Sequence, residues 1–289
     1  MNQETKNREI KAEDIQQYLD SRDDFDLELF AYRSLREHGW PSSLGGSYVD
    51  PALEKPRQFD VRSRRAFHLG CYINLAVECK SLSPEFPLVV SRVPRPTVES
   101  QHDVIRRFWR PEQSDSSFVI ERSGTDQLRL YTAEQPVGKS ATQIRWDGKR
   151  LVASDAETYD KWAQALASAA ELVETAANAS ADKKKPIFEF VMPVLLINDR
   201  TLWVVDYTEQ GVRGTPTPAE DATLFVDRKR VVKGRYASGT YHLSHLHICT
   251  RAAFVRMLKN LDSATGSLFE RIFGFAIRRA DEAGLLSQR

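Results

Sequence analysis

The sequence predicts a mixed α/β fold, a mixed β-sheet flanked by helices, and three features predict it. Residues 156–179 form an alanine-rich stretch with helical periodicity. Apolar runs rich in β-branched and aromatic residues recur at FEFVMPVLLIN, TLWVVDY, ATLFVDRKRVV and HLSHLHICT. Two further strand-like runs, 58–67 and 71–80, precede them all. Helix, strand pair, helix and more strands are most simply one domain over residues 1–289, with an insertion at 81–150.

Bulk composition narrows the function classes. A chain of 289 residues with 41% hydrophobic residues can bury a core without staples. Lys plus Arg against Asp plus Glu is 41 against 40, so any basic surface is local. The polar N-terminus and the absence of an apolar run near ~18 residues predict a cytoplasmic chain with no membrane span. Cys71, Cys79 and Cys249 form no CxxC pair and read as buried free thiols.

The first helix is expected from Asp23 to His38, with Phe25, Leu29, Tyr32 and Leu35 near helical spacing and Gly39 as its stop. A loop rich in Pro, Gly and Ser follows, with a short strand near Leu44 to Val49. In the insertion, Pro84, Pro87, Pro94 and Pro96 break the pattern. A helix near 99–109 and strands at SFVIER and QLRLYTA are expected there. The helix at 156–179 carries a stripe of Trp162, Leu166, Ala169, Leu172 and Val173. FEFVMPVLLIN and TLWVVDY then read as a hairpin across Asp199 and Arg200, and helices near 251–262 and 266–284 end the chain.

The register of the early hairpin carries the chemistry. If His68, Leu69 and Gly70 form a three-residue loop with Gly70 left-handed, Phe67 pairs with Cys71 and paired numbers sum to about 138. Phe59, Val61, Phe67, Cys71, Ile73, Leu75, Val77 and Cys79 then share a core face. Asp60, Arg62, Arg64, Tyr72, Asn74, Glu78 and Lys80 share the other, with Asp60 opposite Glu78 at ~5 Å between Cβ atoms. Two such carboxylates repel unless a cation lies between them, and Mg²⁺ takes one or two carboxylates beside water and phosphate. Lys80 points the same way as Glu78, so the trio reads as phosphodiester hydrolysis. The competing reading is a solvated strand pair with no chemistry.

Asp60, the Glu78-Cys79-Lys80 run and a preceding helix with Glu28 resemble the PD-(D/E)XK nuclease superfamily, which has a restriction endonuclease-like core. The lead-in GGSYVDPALEKPRQFDV is similar to that of many bacterial members, and the match covers residues 25–80. The resemblance implies a nuclease acting on nucleic acid, with DNA expected, in which Asp60 and Glu78 hold Mg²⁺ or Mn²⁺. Lys80 would orient or activate the attacking water, and Glu28 would support the metal or its water. Lys161 and Gln164 fall where some relatives place polar residues toward the site, and with Arg106 and Arg107 they are the expected nucleic-acid contacts. No proline precedes Asp60, and Gln58 stands where an acid is frequent. The rivals are a catalytically inactive nucleic-acid-binding or assembly subunit of the same fold, and an unrelated α/β protein. Expected companions are nucleic acid and a second copy or partner subunit.

Other motifs add less. Arg92, Arg95, Arg106, Arg107 and Arg110 gather around Phe108 and Trp109, a composition suited to phosphate contact and stacking or to a solvated amphipathic segment. In HLSHLH a strand puts His245 and His247 on one face and His242 on the other, which disfavours a zinc site. No GxSxG elbow and no GxxxxGK[ST] loop is present.

Overall fold

The computed structural model describes residues 9–124, 129–153, 156–262 and 267–286. Helix α1 (Ala12–Arg22), which the sequence reading lacked, leads into α2 (Asp24–Glu37). The Asp23 carboxylate accepts from the Asp26 N–H and caps α2, and Gly39 at φ 71° ends it, as expected. The buried stripe differs from expectation. Leu27, Ala31, Ser34 and Leu35 face the core, whereas Phe25 is exposed, because the apolar face is centred two residues further along.

Strands β1 (Ser42–Leu44), β2 (Ser47–Asp50) and β3 (Lys55–Gln58) precede β4 (Val61–Ala66) and β5 (Cys71–Lys80). The run expected as one strand over 58–67 is therefore broken. β3 pairs with β2 in a separate two-stranded ribbon, and the ladder to β5 starts at Val61. Its register is the expected one, from Val61 opposite Val77 to Ala66 opposite Tyr72, and the Phe67 N–H donates to the Cys71 carbonyl at 2.8 Å. Leu69 and Gly70 are both left-handed in the loop, at φ 56° and 71°.

The insertion holds β6 (Leu88–Pro94), β7 (Asp103–Arg110), β8 (Asp115–Arg122), β9 (Pro136–Asp147) and β10 (Arg150–Ala153). The helix expected at 99–109 is a short 3₁₀ turn followed by β7, which lies between β8 and β11 (Ile187–Ile197). Residues 127 and 128 of QLRLYTA lie outside the described residues, and 129–133 are irregular rather than a strand.

Helix α3 (Ala156–Asn178) precedes β11, and β12 (Leu202–Asp206), β13 (Thr217–Ala219), β14 (Asp221–Lys233), β15 (Ser238–Thr250), α4 (Arg251–Asp262) and α5 (Ser267–Glu282) complete the chain. β11 and β12 do not form the expected hairpin. The edges of β11 are taken by β5 on one side and by β7 and β15 on the other, so β12 joins β6 instead. The result is a large mixed sheet, parallel where β5, β11 and β15 meet.

Helices cover both faces of its centre. α2, α4 and α5 bury Val61, Ile73, Leu75 and Val77, while α3 packs Ala169 and Val173 against Ala76 and Val191 on the other face. The three cysteines are buried and free. Among the described residues no helix is long and apolar enough to cross a membrane.

Candidate active site

A local crossing of the chain positions Asp60. The Gly45 N–H donates to the Asp60 carbonyl at 2.7 Å and the Phe59 N–H to the Gly46 carbonyl at 3.0 Å. A Cβ on Gly46 would lie 2.6 Å from the Phe59 ring, and Gly46 sits at φ 150°, so only glycine allows the approach. Phe59 consequently leaves the core face assigned to it from the sequence. Its ring lies 4.4 Å from the Arg62 guanidinium carbon, and the Tyr48 ring 4.7 Å from the same atom.

Asp60 is a bend residue one position before the Val61–Val77 pair that ends the ladder, and its carboxylate lies against the end of β5 beside Glu78. The Cys79 N–H donates to Asp60 Oδ2 at 2.7 Å. Glu78 has no exposed surface, and neither of its carboxylate oxygens has a hydrogen-bond partner. Burial first, and the charge of Asp60 second, push its pKa well up, against the pull of Lys161.

Lys161, from the first half of α3, brings its ammonium to the pair. Nζ lies 2.9 Å from Asp60 Oδ2, 3.3 Å from Oδ1 and 3.8 Å from Glu78 Oε2. Burial works against this charge, but the attraction and hydrogen bond of Asp60, with Glu78 behind, outweigh it and raise the lysine's pKa. Lys161 thus bridges the acids, a closer part in the site than the nucleic-acid contact expected for it. It is the sole basic residue of α3, which was the available signal.

Glu28 reaches the cluster from α2 and is half-buried. Burial, then Asp60, raise its pKa to about 7, with Lys161 opposing and Asp24 and Asp23 adding to the rise. Lys80, at the end of β5, has its Nζ 3.7 Å from Asp24 Oδ2 at the start of α2, and it is Lys161 that the structure brings to the acid pair. Asp24 and Tyr48 were not anticipated. The Tyr48 hydroxyl donates to the Gln164 carbonyl at 3.4 Å, and burial, then Glu78, push its pKa up to about 12. Gln164 therefore meets the site through its backbone.

The arginine segment is not the exposed helical surface its composition suggested. Arg106 gives Nε and Nη2 to Glu121 Oε1 at 3.0 and 2.8 Å, and the buried Arg107 pairs with Glu189. His245 and His247 share a face as expected, with His242 turned away. His245 stacks on Tyr131 at 3.6 Å, and the Tyr131 hydroxyl is 2.9 Å from His247 Nε2. Burial holds the His245 pKa down to about 2 and the His247 pKa to about 4, so both are neutral.

Among the described residues no three His, Cys, Asp or Glu side chains converge as a ready metal shell. The Asp60–Glu78 pair still fits a hard cation that takes only one or two carboxylates, because both oxygens of Glu78 are buried without a geometric hydrogen-bond partner and Lys161 occupies the position of a counter-charge between the acids. Comparison with family models, with curated proteins and with solved structures gave no match for this chain.

Proposed function

We propose that this chain is a metal-dependent nuclease of the PD-(D/E)XK type, with a restriction endonuclease-like core, hydrolysing phosphodiester bonds in DNA. The observation that carries the reading is the facing pair Asp60 and Glu78, the latter buried with both oxygens unpartnered, beside Lys161 and on the strand face that also bears Lys80. Asp60 and Glu78 would hold Mg²⁺ or Mn²⁺. When bound, the cation supplies Lewis-acid polarisation of a phosphodiester oxygen.

The chain's own groups do the rest. Glu28, with a pKa of about 7, is matched to accept a proton from the attacking water near neutrality. The water oxygen bonds to phosphorus, the opposite phosphorus–oxygen bond breaks, and the leaving alkoxide takes a proton from solvent. Lys80 supplies positive charge beside the developing phosphorane, held from behind by Asp24. Lys161 neutralises Asp60 and, with the pair holding a cation, would be a positive charge available to phosphate.

The test is incubation with linear, circular and single-stranded DNA and with RNA in Mn²⁺, followed on a gel. Cleavage by the parent should vanish in Asp60→Ala together with any Mn²⁺-induced thermal shift. In Lys80→Ala it should fall by on the order of 10² or more while the shift persists. A parent that cleaves nothing but binds nucleic acid would make the chain a non-catalytic binding subunit.

A further inference from the structure

The face of the sheet that bears Asp60 and Glu78 carries a second polar feature at the far end of β4 and β5. A cavity of about 620 Å³ opens there between the C-terminal half of α3, the start of β11 and residues 41–43. Arg64 lies four positions beyond Asp60 along the chain, so at about 3.3 Å per residue the two ends lie roughly 13 Å apart. Arg62 stands between them, tied to Ser168 and Glu171 of α3.

Its wall is built around the buried Glu189. This carboxylate accepts from Asn74 Nδ2 at 2.7 Å, from Arg64 Nη2 at 3.0 Å and from Arg107, so its oxygens are fully engaged. Arg107 is 98% buried, being 2% exposed. It spends Nη1 on the Ser180 carbonyl and Nη2 on Glu189, yet its Nε has no partner. A buried, charged N–H without an acceptor is a standing cost to the fold, and a ligand oxygen that reached it would relieve that cost. Arg64 is pre-positioned on the Tyr72 ring, 3.6 Å from its centroid, with almost half of its side chain exposed.

The charge around the cavity favours an anion. Arg62, Arg64 and Arg107 line it with Glu189, and Glu171, which holds Arg62 and accepts from the lining Thr175, is at its edge, so three positive charges meet two negative ones. The roughly half-unit negative end of α3 opposes an anion there, but Arg107 already answers the Ser180 carbonyl just beyond that end. Three exposed lysines, Lys183 to Lys185, lie on the linker between the lining residues Ser180 and Ile187. Planar guanidinium groups match phosphate oxygens better than an ammonium does, and the volume exceeds what phosphate alone needs.

We propose that this cavity binds a phosphate group borne by a nucleotide or by the end of a nucleic-acid strand, gripped by Arg64 and Arg107. The site is separate from the acidic pair and does not rest on the hydrolytic reading. Isothermal titration of the full chain, at low salt with EDTA, is the test. The probes are inorganic phosphate, adenosine monophosphate and one short single-stranded DNA with and without a 5′-phosphate.

Phosphate-bearing probes should bind the parent and Asp60→Asn alike. Arg64→Ala should weaken them by about tenfold, the loss expected of one charged hydrogen bond. Thr175→Glu, at an exposed residue on the cavity wall, adds a carboxylate without touching the core and should weaken them at least as much. Tighter binding of the 5′-phosphorylated strand than of the mononucleotide would identify a strand end, and equal binding a free nucleotide. No heat from any probe, or unchanged affinity in Thr175→Glu, would overturn the proposal.

Discussion

Replacing Glu78 by glutamine changes one proton and almost no volume, so it isolates what the buried carboxyl costs the fold. Glu78 is wholly buried and its oxygens are unpartnered, and burial, then Asp60, raise its pKa from 4.5 to about 9. Between those values the folded chain keeps a proton that the unfolded chain has released. Stability therefore falls as pH rises through that window, by about 1.4 kcal/mol per unit. From pH 5 to pH 8 the upper limit is about 4 kcal/mol, and relaxation around the ionised group brings it nearer 2.

Glutamine has no proton to lose there. Urea unfolding with EDTA at pH 5 to 9, followed by circular dichroism, should show parent and Glu78→Gln close together at pH 5. The variant should be more stable by about 2–4 kcal/mol at pH 8. Glu28 titrates in both chains and drops out of the difference. Parallel pH profiles would refute the reasoning, since Glu78 would then be ionised and satisfied in the folded chain.

Three further outcomes follow from the same geometry. Lys161→Met should destabilise the metal-free chain by about 1–3 kcal/mol at pH 7.5, and less in saturating Mn²⁺; because the lysine's folded pKa is raised, the loss should vanish as pH climbs through that value, as thermal melts across pH can show. Arg107→Ala leaves the buried Glu189 with Asn74 and the half-exposed Arg64 and should cost up to about 3–5 kcal/mol in chemical unfolding, whereas Arg106→Ala leaves Glu121 with Arg279 and should cost under about 1 kcal/mol. Gly46→Ala drives a methyl into Phe59 at a left-handed position, so it should lower stability by at least about 1 kcal/mol and weaken Mn²⁺ binding by displacing Asp60.

The early hairpin was legible because its information is local. Strict alternation over β5, a glycine loop and a short connection determine which side every residue takes, and the Val61–Val77 register follows. The strand break at Phe59 was not legible, since it depends on contact with Gly46 across a turn. Lys161 reaches Asp60 over 101 positions of sequence, a distance at which spacing carries no signal. β7 was misread because arginines signal solvent, while in the fold Arg106 and Arg107 are neutralised by Glu121 and Glu189. The β11–β12 turn looked like a hairpin, and only the occupancy of both β11 edges by other strands decides otherwise.

Two glutamates on neighbouring parallel strands show the cost of a buried carboxylate more sharply than either does alone. Glu78 on β5 stands opposite Leu195, and Glu189 on β11 opposite Tyr72, each with at most 1% of its surface exposed. Both bear the same desolvation cost, which an unanswered carboxylate can relieve only by keeping a proton. Glu189 receives Asn74, Arg64 and Arg107. Glu78 has instead the Asp60 carboxylate beside it and Lys161 at 3.8 Å, an ammonium that it shares with Asp60. The fold can therefore satisfy a buried glutamate on this face with three donors, and at Glu78 it leaves the cost to be met by a retained proton. A neutral residue of the same volume would cost the fold less at this position, and that difference is what the pH dependence of Glu78→Gln reads.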